Sequence, residues 1–125
     1  LQLPFVYVRS KPKEHGLTNT IEGDLKHGYR VLVVEDTIST GGSSLKAVED
    51  LRAAGAEVIG MVAIYKYGFE SAKQKFEDAG VLLKTLTNYE FMIRTAQSSG
   101  YVTEEEVSTL QDWRANPTAW SAAQQ

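Results

Sequence analysis

Glu35 and Asp36 stand side by side after the apolar run Arg30 to Val34, and the chain continues Thr37-Ile38-Ser39-Thr40-Gly41-Gly42-Ser43-Ser44. Paired glycines let a backbone approach an anion closely, and the hydroxyls of Ser39, Thr40, Ser43 and Ser44 are donors. A helix opening at this point adds unpaired N–H groups and the favourable end of its dipole. A monophosphate fits such a cradle. Two carboxylates would repel that phosphate, so they must serve another part of the ligand, and the vicinal hydroxyls of a ribose are suitable donors to them. A structural reading competes, in which Asp36 forms an Asx turn and the serines cap a helix. No lysine follows the glycines and no GxGxxG occurs, which disfavours a Walker-type ATPase and a dinucleotide-dependent dehydrogenase.

A loop of this kind needs a strand before it and a helix after it. Arg30 to Val34 is almost purely apolar and β-branched, as expected of a central parallel strand buried on both faces and ending at Glu35-Asp36. Leu45, Val48, Leu51 and Ala54 recur at helical spacing with Gly55 as the stop. Val58 to Tyr65 predicts a second strand, Phe69 to Ala79 a helix closed by Gly80, and Val81 to Leu86 a third strand. This alternation predicts an α/β fold, a parallel sheet with helices on both faces, whose ligands sit beyond the carboxyl ends of the strands. Upstream, Phe5 to Val8 predicts a strand leading into a polar loop with Pro12 and Gly16. Downstream, Thr87 or Asn88 caps a helix carrying Phe91, Met92 and Ala96, and Thr103 to Glu106 forms a capping box. Residues 1–115 are expected to form the domain, and 116–125 a frayed tail.

Composition narrows the classes. With 125 residues, 42% hydrophobic and 23% charged, the chain is a single globular domain rather than a disordered tail. A net charge of -3 offers no general attraction to nucleic acid, and the absence of cysteine with His15 and His27 as the sole histidines excludes disulfides, thiolate metal sites and a histidine-built zinc site. Neither a membrane span nor a signal peptide is legible, so a cytoplasmic protein is expected. His27 reads as a solvated turn residue. The tryptophans Trp113 and Trp120 read as packing, since they are not interleaved with basic residues.

Arg9, Lys11, Lys13 and His15 form a basic cluster in the upstream loop, which by itself could be no more than a solvated surface. Beside the downstream motif it means more. The acidic pair followed by T-I-S-T-G-G-S resembles the phosphoribosyl-pyrophosphate (PRPP) signature of type I phosphoribosyltransferases. Within that superfamily, VYVRSKPKEHG, Val6 to Gly16, resembles the catalytic-loop signature of the orotate phosphoribosyltransferases, with Arg9, Lys13, His15 and Gly16 in the family's order. The resemblance covers most of the chain and implies the C-terminal portion of that fold, without its hood and first strand.

The resemblance implies transfer of phosphoribosyl from PRPP to orotate in pyrimidine synthesis, with Mg2+ as cofactor. It implies PRPP contacts at Arg9, Lys13, His15, Glu35, Asp36, Thr37, Ile38, Ser39, Thr40, Gly41, Gly42 and Ser43, with Lys13, His15 and Asp36 catalytic and Asp36 also placing the metal. Ser39 and Lys66 would meet orotate, and a homodimer would let Lys13 and His15 act across the interface. Two departures stand out. Ser10 occupies a position where the family commonly has Lys, so a phosphate contact is lost or supplied by Lys11. Lys66-Tyr67-Gly68 stands where many members place an Arg against the orotate carboxylate, so either Lys66 substitutes or base recognition differs. The chain is expected to be an incomplete site, as a piece of a longer chain or one partner of a split enzyme. A transferase for another base and a non-catalytic nucleotide sensor are the alternatives.

Overall fold

A computed structural model describes residues 2–9 and 20–123, with side chains described as far as Trp120. Lys13 and His15, like Ser10 and Lys11, lie outside the described residues.

The first elements are two short strands, β1 (Tyr7–Val8) and β2 (Ile21–Glu22), paired antiparallel with Tyr7 opposite Glu22 and Val8 opposite Ile21. The expected strand from Phe5 is therefore shorter and belongs to a hairpin, because its hydrogen-bond partner is the segment at Ile21. Arg9 N–H donates to the Thr20 carbonyl at 2.7 Å, continuing the ladder beyond Val8.

Next come β3 (Arg30–Ile38), α1 (Gly42–Ala53), β4 (Glu57–Lys66), α2 (Glu70–Asp78), β5 (Leu83–Asn88) and α3 (Tyr89–Ser98). The three strands form a parallel sheet in the order β3-β4-β5, the arrangement that strand-helix alternation dictates. β3 runs past the acidic pair, since Glu35, Thr37 and Ile38 pair with Ala63, Tyr65 and Lys66. Ladder hydrogen bonding, indifferent to side-chain polarity, extends it beyond the apolar run. The expectation of a central, doubly buried strand also changes. Among the described residues β3 is at an edge, and Leu32 and Val34 are 50% and 71% exposed because their face of the sheet is not covered there.

The other face carries the core. Ile38, Val48, Met61, Ala63, Phe76 and Val81 pack together, so α1 and α2 are fastened to β3 and β4 through Val48 and Phe76. A second cluster of Ile21, Leu51 and Ala56, with Val6 and Val8 against it, ties the hairpin to α1. Gly55 ends α1 in a left-handed conformation, its N–H donating to the Arg52 carbonyl, as the sequence predicts. Asn88 caps α3 through Phe91 N–H, and α4 (Glu104–Ala115) opens with the expected reciprocal box between Thr103 and Glu106. Residues expected to fray instead form α5 (Pro117–Ala123), capped by Asn116, whose side chain accepts from Ala119 N–H at 3.1 Å.

Candidate functional site

The strand-to-helix loop lies beyond the carboxyl end of β3. Val31 and Val33 pack on the helical side of the sheet, and so does Ile38. Strict alternation would turn Ile38 to the opposite side from Val33, so the strand changes its facing between Glu35 and Ile38. Asp36 and Thr37 are both exposed at that irregularity while Glu35 is half-buried. Asp36 Oδ1 accepts from the N–H of the very next residue, Thr37, a local contact one residue short of the Asx turn in the structural reading. It leaves Oδ2 without a protein hydrogen bond among the described residues.

The helix start contradicts the other half of that structural reading. The N-cap of α1 is Gly41, in a left-handed conformation at φ 76°, and no side chain caps the helix. Ser39, Thr40 and Ser43 are exposed, with hydroxyls that form no hydrogen bond among the described residues, while Ser44 is buried and withdrawn from the loop surface. The first turn therefore presents uncapped N–H groups and nearby hydroxyls, with no acidic residue in it. Such a terminus suits an anion.

Two neighbours hold the loop. A Cβ on Gly41 would lie 2.7 Å from Phe76 Cε2, so α2 closes tightly under the loop, whereas a Cβ on Gly42 would meet nothing within 4 Å. Lys75, also on α2, donates from Nζ to the Thr40 carbonyl at 3.4 Å and adds a positive charge that the sequence pattern did not single out. Gly41→Ala combines a left-handed backbone with an overlap and is expected to destabilise the protein by about 2–3 kcal/mol. Gly42→Ala should stay within about 0.5 kcal/mol. Parallel urea titrations check the pair.

At the sheet end, Ile38, Lys66 and Asn88 lie abreast on the three strands. A cavity of about 410 Å3 opens there, with Ser39, Lys66, Tyr67, Phe69, Asn88 and Arg114 among its walls. Ser39 and Lys66, expected to meet a base, are thus brought together. Asn88 and Arg114 were missed, since a cap and a residue of a C-terminal helix carry no sequence signal of a site. Burial, with Tyr67 and Tyr89 nearby, pushes the Tyr65 phenol up to about 12, so it remains protonated near neutral pH and is no base.

Arg9 is placed differently. Its Nε lies 2.8 Å from Glu22 Oε1 across the hairpin, and among the described residues no hydrogen bond or ion pair joins it to residues 35–44. His27 is exposed, its ring against Gly55. Among the described residues no group of three His, Cys, Asp or Glu could hold a metal ion, and no helix is long and apolar enough to cross a membrane.

Residues 1–98 match the family model of the phosphoribosyl transferase domain. An orotate phosphoribosyltransferase of Bacteroides fragilis is 62% identical over 120 residues, which are 96% of this chain and 57% of the relative. The chain thus spans little more than half the length of that relative. The structure of orotate phosphoribosyltransferase from Aeropyrum pernix superposes with a TM-score of 0.66 at 32% identity, over 80% of this chain and 54% of that one. The Mycobacterium tuberculosis H37Rv orotate phosphoribosyltransferase, solved in complex with PRPP, gives a TM-score of 0.51 at 36% identity over 56% of this chain and 43% of its own.

Proposed function

The chain belongs to the phosphoribosyl transferase family, and on that premise we propose that it carries the PRPP-binding half of a cytoplasmic enzyme that transfers phosphoribosyl to orotate. The observation that carries this reading is the uncapped start of α1 at Gly41, with exposed hydroxyls beside it and the Glu35-Asp36 pair at the end of the preceding strand. The 5′-phosphate rests on the N–H groups of the first turn and the hydroxyls of Ser39, Thr40 and Ser43, with Thr37, Ile38, Gly41 and Gly42 shaping the loop. Glu35 and Asp36 accept hydrogen bonds from the ribose hydroxyls. The base lies in the adjoining cavity, beside Ser39 and Lys66.

In the reaction, N1 of orotate forms its bond to C1′ as the C1′–O bond breaks, pyrophosphate leaves with the electron pair, and the N1 proton passes to solvent. Positive charge grows on the ribose, and negative charge on the departing group. Carboxylates beside the ribose stabilise the first; Lys13 and His15, with Arg9 at the foot of their loop, neutralise the second, acting across the interface of a homodimer. Mg2+ commonly binds through one or two carboxylates, waters and substrate phosphates rather than a protein cage, and the exposed Asp36 beside the ribose position fits that mode. Mg2+ held there would offset the charge of the pyrophosphate. The uncovered face and edge of β3 would accept the further strand and hood that the resemblance implies.

The test is pyrophosphate release from PRPP with Mg2+ and orotate by the whole enzyme that contains this half. Orotidine 5′-monophosphate should form in step with release. PRPP binding without release by orotate or any other base would replace the transferase with a sensor, and release with a different base alone would reassign the substrate.

A further inference from the structure

The cavity at the sheet end is bordered by two cations from separate elements, Lys66 at the end of β4 and Arg114 in the last turn of α4. Other charges around it are paired: Lys73 lies 3.1 Å from Glu70, and Glu90 binds Arg94. The remaining wall carboxylate, Glu77, belongs to α2 about two turns beyond Phe69. Among the described residues neither Lys66 nor Arg114 has a carboxylate in ion-pairing range, so this end of the cavity carries uncompensated positive charge.

Arg114 is held in place rather than waving in solvent. Trp113, its neighbour, packs its ring 5.8 Å from Tyr67, 6.0 Å from Phe69 and 5.7 Å from Tyr89 between centroids. The Tyr89 hydroxyl donates to the Leu110 carbonyl of α4 at 3.0 Å, and the Arg114 guanidinium lies 5.9 Å from the Tyr89 ring centre. Gly68, two residues past Lys66, keeps the approach open. It has φ 74°, and a Cβ there would sit 3.7 Å from Arg114 Nη2.

We propose that Arg114 is the specificity-determining residue for the base, its guanidinium holding the carboxylate of a planar heterocycle in this cavity with Lys66 as the second positive charge. A guanidinium presents paired N–H donors in the plane that a carboxylate requires, and a lysine ammonium cannot reproduce that fork. The aromatic wall of Tyr67 and Phe69 gives the ring an apolar surface. This inference rests on the proposed transfer to orotate and adds a residue that the phosphate-loop motif does not contain.

Arg114→Met and Arg114→Lys, made in the whole enzyme that contains this half, test it in steady-state assays that vary orotate and PRPP separately, with uracil, which lacks the carboxylate, as a competitive inhibitor. Loss of a charge-assisted pair is expected to raise KM for orotate about 10- to 100-fold in the Met variant, with the Lys variant between it and the parent. KM for PRPP and the uracil inhibition constant should stay within about twofold. An unchanged KM for orotate, or an equal rise for PRPP and uracil, overturns the proposal, the second outcome marking Arg114 as structural. If Arg114→Met melts early, Arg114→Lys, which keeps stem and charge, carries the comparison. Failure of the parent protein to use orotate sinks the transfer reading itself, whereas parent turnover with an indifferent Arg114 sinks this inference alone.

Discussion

Phe76→Ala is expected to destabilise the protein by about 3–5 kcal/mol, the range for removing a buried phenylalanine that its surroundings cannot replace. Phe76 is 4% exposed, shares the core with Ile38, Val48, Met61, Ala63 and Val81, and lies directly under Gly41. That loss is a large part of the roughly 5–15 kcal/mol that a domain has in all. It also removes the floor of the loop proposed to hold the phosphate, so PRPP affinity should fall even where the variant remains folded. A urea titration reads the first effect as a lower midpoint at unchanged slope. A change below about 1 kcal/mol would mean that the α2 contact is not what fastens the loop.

The double variant Glu35→Gln, Asp36→Asn is expected to lower PRPP affinity about 100- to 1,000-fold, since hydrogen bonds to charged groups contribute about 1.5–3 kcal/mol each and neighbours do not add fully. The amide that replaces the Asp36 carboxylate retains an oxygen for the Thr37 N–H, so the local contact survives in the variant. Inorganic phosphate supplies the control. Removing two negative charges should leave its affinity equal or higher if the carboxylates serve the sugar. A parallel fall in phosphate and PRPP affinity would instead make the acidic pair a structural support of the loop.

The parallel sheet, its helices and the glycine turn that opens α1 were legible because each has a local cause: apolar runs, helical spacing, glycine stops and a capping box at Thr103. What the sequence concealed came from long-range partners. β1 is short because it pairs with Ile21–Glu22, and β3 is long because Thr37 and Ile38 have partners in β4. Its apolar run reads as doubly buried, although only the side facing α1 and α2 is covered among the described residues. The α5 helix escaped because Pro117 reads as a breaker, although proline is well tolerated in a first helical turn. At the site, the motif pointed to Glu35 through Ser43, yet nothing local in the sequence joins Arg114 to Lys66. Tertiary packing does that, through Trp113 and the rings of Tyr67, Phe69 and Tyr89.

The most direct test of the proposed sugar-phosphate site is a calorimetric titration of PRPP with Mg2+ into the protein, beside its Thr40→Val variant, which keeps the shape of the loop and removes one hydroxyl donor. The account predicts saturable binding at one site per chain, weakened by the substitution. A protein that circular dichroism shows to be folded and that takes up no PRPP, or that binds it equally with and without the Thr40 hydroxyl, would contradict the placement of the phosphate in this loop.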